Sequence, residues 1–168
     1  QNFCGTVVTL SGNNPVIGTG AWSFAPGGNP DALPLTAFSN TALFNSGFTG
    51  TAGQTYILRW TISNGICTAS TDDVQIRLDA APTVSAAGSD QIGASAICGT
   101  STTLSANVPT TGIGSWSVTS GAGGSFVSPN SASSIFNGVA GTTYTLLWTI
   151  SNGVCLASTD DVDISFLQ

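Results

Sequence analysis

The hexapeptide Trp-Thr-Ile-Ser-Asn-Gly occurs at residues 60–65 and again at residues 148–153, and this stretch decides the fold of the chain. In the first copy Tyr56, Leu58 and Trp60 share one parity of the chain, and a mixed set that includes an arginine and a threonine takes the other. Such alternation with a period of two predicts a β-strand with one buried face. The Asn-Gly dipeptide that follows is the strongest short-range signal for a tight hairpin. Each copy is therefore predicted to form a long strand, a turn and a returning strand.

The duplication extends well beyond this hairpin. The sequence Ala-Ser-Thr-Asp-Asp-Val recurs at residues 69–74 and 157–162, which is the same offset of 88 positions. Near the start of each copy, Cys-Gly-Thr recurs at residues 4–6 and 98–100, with an offset of 94 positions. The first copy therefore carries about six additional residues, which fall within residues 29–53. Internal similarity of this kind indicates two tandem structural repeats.

The predicted fold class is all-β, with residues 1–79 and 80–168 as two tandem domains. Further short strands are expected at residues 6–11, 20–24 and 41–44 and at their counterparts, and no window has an apolar stripe of helical period. About seven short strands separated by turns are typical of an immunoglobulin-like β-sandwich. A domain of this size is only marginally stabilised by its core, so additional cross-links are expected.

The two predicted repeats differ at their beginnings. The second repeat opens with residues 82–94, which read as a first strand, and the first repeat has no counterpart of them before Cys4. Two interpretations are open: the chain is an excerpt from a longer array, or its first repeat is a reduced terminal module. Either would leave an unpaired sheet edge, which could accept a strand from another chain.

The composition excludes several classes of function. Only 6% of the residues are charged, the net charge is −6, and His, Lys, Glu and Met do not occur. Such a surface repels nucleic-acid phosphates and anionic membranes, and no apolar run approaches the length of a membrane span. Nucleophilic catalysis needs a base beside the nucleophile, and neither His nor Lys is available. We therefore expect no enzymatic activity, no nucleic-acid partner and no membrane insertion.

Four cysteines lie at equivalent positions of the two repeats. Four cysteines allow three pairings, and identical repeats are expected to make identical internal bonds, which predicts Cys4–Cys67 and Cys98–Cys155. One disulfide would then stabilise each sandwich and would place the chain in an oxidising compartment. A structural metal site on these thiols is disfavoured, because the chain has neither a Cys-x-x-Cys motif nor a histidine.

Taken together, these motifs resemble a known class of repeats. Cys-Gly-Thr, Gly-x-Trp and the long hairpin with its Asn-Gly-x-Cys turn are similar to the PKD-like and immunoglobulin-like repeats of large Bacteroidetes surface proteins, including gliding-motility adhesins of the SprB kind. The sequence Ala-Ala-Gly-Ser-Asp-Gln at residues 86–91 fits the same repeat. The resemblance covers nearly the whole chain. It implies PKD-like sandwiches in the stalk or filament of a cell-surface protein exported by type IX secretion, and it implies no catalytic residue.

Calcium is the one cofactor that the sequence suggests. Asp79 and Asp90 flank the junction between the two predicted domains, and with Asp73 or a loop carbonyl they could supply oxygen ligands. The adjacent pair Asp72 and Asp73 is instead expected to cap local backbone amides, because neighbouring residues of a strand point to opposite faces. No other metal site is expected.

A candidate ligand patch lies in the additional residues of the first repeat. Phe38, Phe44 and Phe48 are concentrated there, and large exposed apolar patches often mark contacts. The alternative is a longer loop whose phenylalanines close the end of the sandwich. All four tryptophans repeat in register with core parity, so packing is expected of them rather than ligand binding.

The function expected from the sequence is a structural stalk or filament repeat of an extracellular bacterial surface adhesin, linked to surface adhesion or gliding. Its partners would be neighbouring repeats of the same chain. The alternative is a carbohydrate-binding accessory module of a secreted protein, which would bind surface or extracellular glycans.

Overall fold

The computed structural model describes residues 1–168, and it is all-β apart from two single turns of 3-10 helix. It divides into two compact units. The first unit consists of Gln1–Ala80 together with Gly153–Cys155, and the second consists of Ala81–Asn152 and Leu156–Gln168. Each unit is an immunoglobulin-like β-sandwich, as the alternation and the turn spacing predicted.

The first unit contains six strands. Four of them form one sheet in the order β1-β6-β5-β3, in which β1 is parallel to β6, and β2 pairs with β4 in a second sheet. The strands are β1 (Asn2–Cys4), β2 (Val7–Thr9), β3 (Thr19–Phe24), β4 (Gly47–Thr49), β5 (Thr55–Ser63) and β6 (Ser70–Asp79).

The second unit repeats this plan. One sheet has the order β12-β11-β8 and the other has the order β7-β10-β9. An isolated parallel bridge between Ile97 and Phe166 takes the place of the β1–β6 pairing, since it matches the pairing of Phe3 with Leu78 in the first unit. The strands are β7 (Ser101–Thr103), β8 (Ile113–Ser120), β9 (Ser125–Phe126), β10 (Ile135–Asn137), β11 (Thr143–Ser151) and β12 (Ser158–Ser165).

The long hairpins form as their sequence alternation predicts. Tyr56 and Leu58 of β5 are fully buried, as are their counterparts in β11. Trp60 lies opposite Trp22 of β3 in the antiparallel register, with ring centroids 5.0 Å apart. The tryptophan pair of the second unit has the same separation of 5.0 Å and the same interplanar angle of 42°. The tryptophans are therefore core residues, because cross-strand aromatic pairs of this kind fill the space between the sheets.

A glycine makes this tryptophan packing possible in each unit. Gly20 lies beneath the Trp60 ring, where an added Cβ atom would lie 2.0 Å from Cζ2 of that ring. Gly114 is placed in the same way beneath Trp148, at 2.1 Å. Only a residue without a side chain allows the indole to approach the strand backbone so closely.

One expected strand is not formed. Residues 41–44 make turns, closed by hydrogen bonds such as that from the Ser46 amide to the Leu43 carbonyl, and the strand lies instead at Gly47–Thr49. The Trp22 indole donates to the Leu43 carbonyl at 3.0 Å, and the Trp22 amide donates to the Thr41 carbonyl at 2.7 Å. The carbonyls of this segment are therefore satisfied by β3 without a regular ladder.

Candidate functional site

The disulfide of the structure joins Cys4 to Cys155, with their Cα atoms 4.8 Å apart, and Cys67 and Cys98 are free and exposed. The predicted pairings of Cys4 with Cys67 and of Cys98 with Cys155 are therefore wrong. The bond belongs to the first unit, which includes the turn Gly153–Cys155.

Strand direction explains why the predicted bonds do not form. Cys4 pairs with Asp79 at the end of β6, and Cys67 precedes Ser70 at its beginning. Because β6 has ten residues, the two cysteines lie roughly 30 Å apart along the strand. A disulfide requires Cα atoms within about 7 Å. The same reasoning separates Cys98, next to the end of β12, from Cys155 before its start.

Asp79 organises the surroundings of the observed bond. Its side chain is only 1% exposed, it accepts a hydrogen bond from Arg77 Nε at 2.6 Å, and it accepts another from the Val154 amide at 3.1 Å. The hydrogen bond from Arg77, and after it that from Val154, lowers the pKa of Asp79 below its usual value. Gly153 lies so close that an added Cβ would be 2.0 Å from the carboxylate. Asp79 therefore holds the turn that carries Cys155.

The phenylalanines of the additional segment do not form an exposed patch. Phe48 is fully buried, Phe38 is 4% exposed, and Phe44 packs against the same core while it is partly exposed. The rings of Phe38 and Phe48 lie 5.2 Å apart. The candidate ligand patch is thus a part of the hydrophobic core, since the short strand that carries Phe48 turns its side chain inward against Tyr56.

The aspartates considered for calcium each have other partners. Asp73 accepts two hydrogen bonds from Arg59, at 2.7 and 2.8 Å, and Asp90 accepts one from the Asp163 amide at 3.0 Å. No group of three or more acidic or cysteine side chains is placed to hold a metal ion. The pKa of Asp73 is lowered, chiefly by the hydrogen bond from Arg59.

The most prominent concave feature is a groove on the first unit, with a volume of about 330 Å³. Its floor is apolar and includes Leu10, Trp22, Trp60 and Ile76. Its rim carries polar groups, and we call the whole feature the edge groove. The rim residues are Gln1, Ser11, Asn13, Asp72 and Asp73.

The corresponding place on the second unit is filled by residues 84–88 of that unit. Ala87 is 1% exposed and belongs to the core cluster there, and this cluster also contains Leu104, Trp116 and Trp148. These three residues are the counterparts of the apolar floor of the edge groove. Val162 is 2% exposed under this segment, whereas its counterpart Val74 in the first unit is only partly buried.

Sequence comparison of the repeats predicted an unpaired edge here, but it did not predict a groove. The available signal was the alternation of Ser85 and Ala87 with more exposed neighbours, which shows that this segment buries one face. Small side chains are weak predictors of burial, so the alternation is easily overlooked.

The tryptophans of the edge groove are poorly placed to stack on a sugar ring. Trp22 and Trp60 are each 4% exposed, and their indole nitrogens donate to the carbonyls of Leu43 and Asn13. Aromatic platforms for carbohydrates present an open ring face, which neither residue does. Both helices of the protein are single turns, and none is long and apolar enough to cross a bilayer.

Comparisons with known proteins bear on the fold alone. Neither a protein-family model nor a curated protein matches the chain. Extracellular domains 3–5 of Drosophila OTK superpose with a TM-score of 0.56 at 9% identity, and the match covers 98% of this chain and 58% of that one. The amphioxus IgVJ-C2 molecule matches with a TM-score of 0.47 at 14% identity, over 99% of this chain and all of that one (100%). The insect immune protein hemolin matches with a TM-score of 0.46 at 15% identity, over 99% of this chain and 44% of that one.

Proposed function

We propose that the chain is a structural repeat pair of an extracellular adhesion protein, in which the sandwiches act as a covalently secured stalk. The observation that carries the proposal is the disulfide between Cys4 and Cys155, which are separated by 151 residues. This bond encloses almost the whole chain in one covalent loop. A pulling force applied at the two ends therefore passes through the bond and bypasses the residues between.

The extracellular location is supported by the disulfide itself. Disulfides persist in oxidising compartments, and they are rare in proteins of the reducing cytosol. The fold is shared with the extracellular domains of OTK, which is consistent with this location. The low content of charged side chains, 6%, would also make the stability of a stalk insensitive to salt.

The finer proposal follows from the sequence resemblance. Because the hairpin motif resembles repeats of Bacteroidetes gliding adhesins, we place the chain in a surface adhesin exported by type IX secretion. Catalysis is not part of this proposal, since the chain has no histidine or lysine that could serve as a base beside a nucleophile.

Single-molecule force spectroscopy tests the mechanical role. With the disulfide intact, pulling at the ends should extend only the short segments outside residues 4–155. In Cys4→Ser, the same pull should release roughly 500 Å more contour, from the 151 residues of the loop. Cys67→Ser is the matched control and should extend as the unaltered chain does. Equal extension of the unaltered chain and Cys4→Ser would refute the mechanical role.

A binding assay separates the stalk from the carbohydrate-binding alternative. The unaltered chain should show no saturable binding to a glycan array or to glass. Saturable glycan binding that survives reduction of the disulfide would favour the accessory-module function instead.

A further inference from the structure

The geometry points to the edge groove as a binding site for an extended peptide strand with small side chains, supplied by a separate polypeptide segment. The inference does not depend on the adhesive role proposed above. It rests on the second unit, where a segment of known sequence fills the equivalent place.

The occupant in the second unit is held by its backbone. The Ala86 amide donates to Asn107 Oδ1 at 2.8 Å, and the Ala86 carbonyl accepts from the Asn107 amide at 2.9 Å. Asn107 Nδ2 also donates to the Val84 carbonyl at 2.8 Å. On the other side, the Ala87 amide donates to Asp160 Oδ2 at 2.7 Å. Most of these bonds read the main chain of the segment, as in strand addition to a sheet edge.

The first unit has the same recognition groups at the same positions. By the offsets of the repeat, Asn13 corresponds to Asn107, Ser70 to Ser158 and Asp72 to Asp160. Asn13 and Asp72 are exposed on the rim of the edge groove. In the second unit, the Ser158 hydroxyl accepts from the Ser85 amide at 2.9 Å, so Ser70 would extend the same pattern.

The shape of the edge groove selects small residues. Ala87 is the residue that enters the core in the second unit, and Gly88 follows it with a φ of 101°. An added Cβ on Gly88 would lie 2.9 Å from the Ser105 carbonyl oxygen, and Ser11 is the counterpart of Ser105 on the rim of the edge groove. The occupant is therefore an extended strand with a small apolar residue followed by glycine.

A second copy of the chain is a poor source of this strand. Its residues 84–88 would first have to leave their own unit, which would expose Ala87 and leave Asp160 and Asn107 without these bonds. A separate segment of the same pattern has no such cost. We therefore assign the site to a free segment rather than to exchange between copies.

The test uses the full chain and a capped peptide with the sequence of residues 83–91, Thr-Val-Ser-Ala-Ala-Gly-Ser-Asp-Gln. Titration calorimetry and tryptophan emission should both show saturable binding at one site, because Trp22 and Trp60 form the floor of the edge groove. Peptides with Ala87→Asp or Gly88→Ala should each bind about tenfold more weakly or worse, owing to an unpaired buried charge and to backbone strain respectively.

Variants of the chain complete the test. Asn13→Ala and Asp72→Ala should each weaken binding of the peptide by about tenfold. Asp161→Ala removes an equal charge from an exposed position of the second unit, and it should bind the peptide as the unaltered chain does. The peptide variants are measured on the unaltered chain, so a folding defect in a protein variant would not remove the test.

Three results would overturn the inference. They are the absence of saturable binding up to about 1 mM peptide, equal affinity of the Ala87→Asp peptide, and equal affinity of the Asn13→Ala and Asp72→Ala chains. Concentration-dependent oligomers that the peptide dissociates would assign the edge groove to a second copy, and would also contradict it.

Discussion

Cys155 is bonded to Cys4, whereas its counterpart in the first repeat, Cys67, is exposed and unbonded. The two turns that carry these cysteines have the same backbone form, since Gly65 and Gly153 have φ values of 56° and 55°. The difference between the cysteines therefore lies in what each turn meets. The turn of Cys155 meets Asp79 and the end of β1, and this contact brings the two sulfur atoms together.

Removal of the disulfide should destabilise the chain strongly. For a loop of 151 residues, the chain-entropy model gives about 5 kcal/mol of stabilisation, so Cys4→Ser should lower the free energy of unfolding by several kcal/mol. Urea unfolding followed by tryptophan fluorescence measures the change. Cys67→Ser removes an exposed thiol, and its stability should lie within about 0.5 kcal/mol of that of the unaltered chain. Equal losses in both variants would contradict the assigned bond.

The stability of the first unit should fall in acid because of Asp79. Its pKa is lower in the folded chain than the usual 3.8, chiefly through Arg77, so the carboxylate contributes stability above that value. The contribution is lost as the pH falls through the lowered pKa of the folded chain. Melting temperatures of the unaltered chain and Asp79→Asn, measured between pH 7 and pH 2, should therefore converge as the pH decreases. A constant difference across this range would show that the ionised carboxylate is not responsible.

The glycines beneath the tryptophans should tolerate no side chain. Gly20→Ala places a methyl group 2.0 Å from the Trp60 ring, and Gly114→Ala does the same to Trp148 at 2.1 Å. Overpacking of this kind costs about 1–3 kcal/mol or more, and near-ultraviolet circular dichroism should show a disturbed tryptophan environment. Thr19→Ala, at an exposed position of the same strand as Gly20, is the control and should change little. A fully native signal for Gly20→Ala would refute the close packing.

How far the sequence predicts the structure depends on the distance over which each feature is decided. The strand that carries Tyr56 and Leu58 is predictable because alternation is a local property of the chain. The cysteine pairing is not local. It depends on the parallel direction of β1 beside β6, which places Cys4 at the far end of that strand from Cys67. Repeat symmetry correctly relates the positions of the cysteines, but it does not require bonds within one repeat.

The candidate sites show the same division. Phe38 and Phe48 are apolar enough to suggest either a patch or a core, and only the packing against Tyr56 decides for the core. The missing counterpart of residues 82–94 was visible in the sequence. That Ala87 fills a space floored by two tryptophans follows only from the folded second unit.

The free cysteines should form a bond between copies that repeats the one within the chain. Cys98 follows Ile97, whose bridge to Phe166 matches that of Phe3 to Leu78, so Cys98 occupies the place of Cys4. With oxidised glutathione as the acceptor of two electrons and two protons, the thiols of Cys98 and Cys67 from two chains should join, and successive bonds should give a ladder of oligomers on non-reducing gels. Mass spectrometry should find the mixed Cys67–Cys98 peptide. Either Cys67→Ser or Cys98→Ser should end the ladder at the dimer, because one thiol per chain can link only two copies. A ladder that persists in either variant would refute head-to-tail joining.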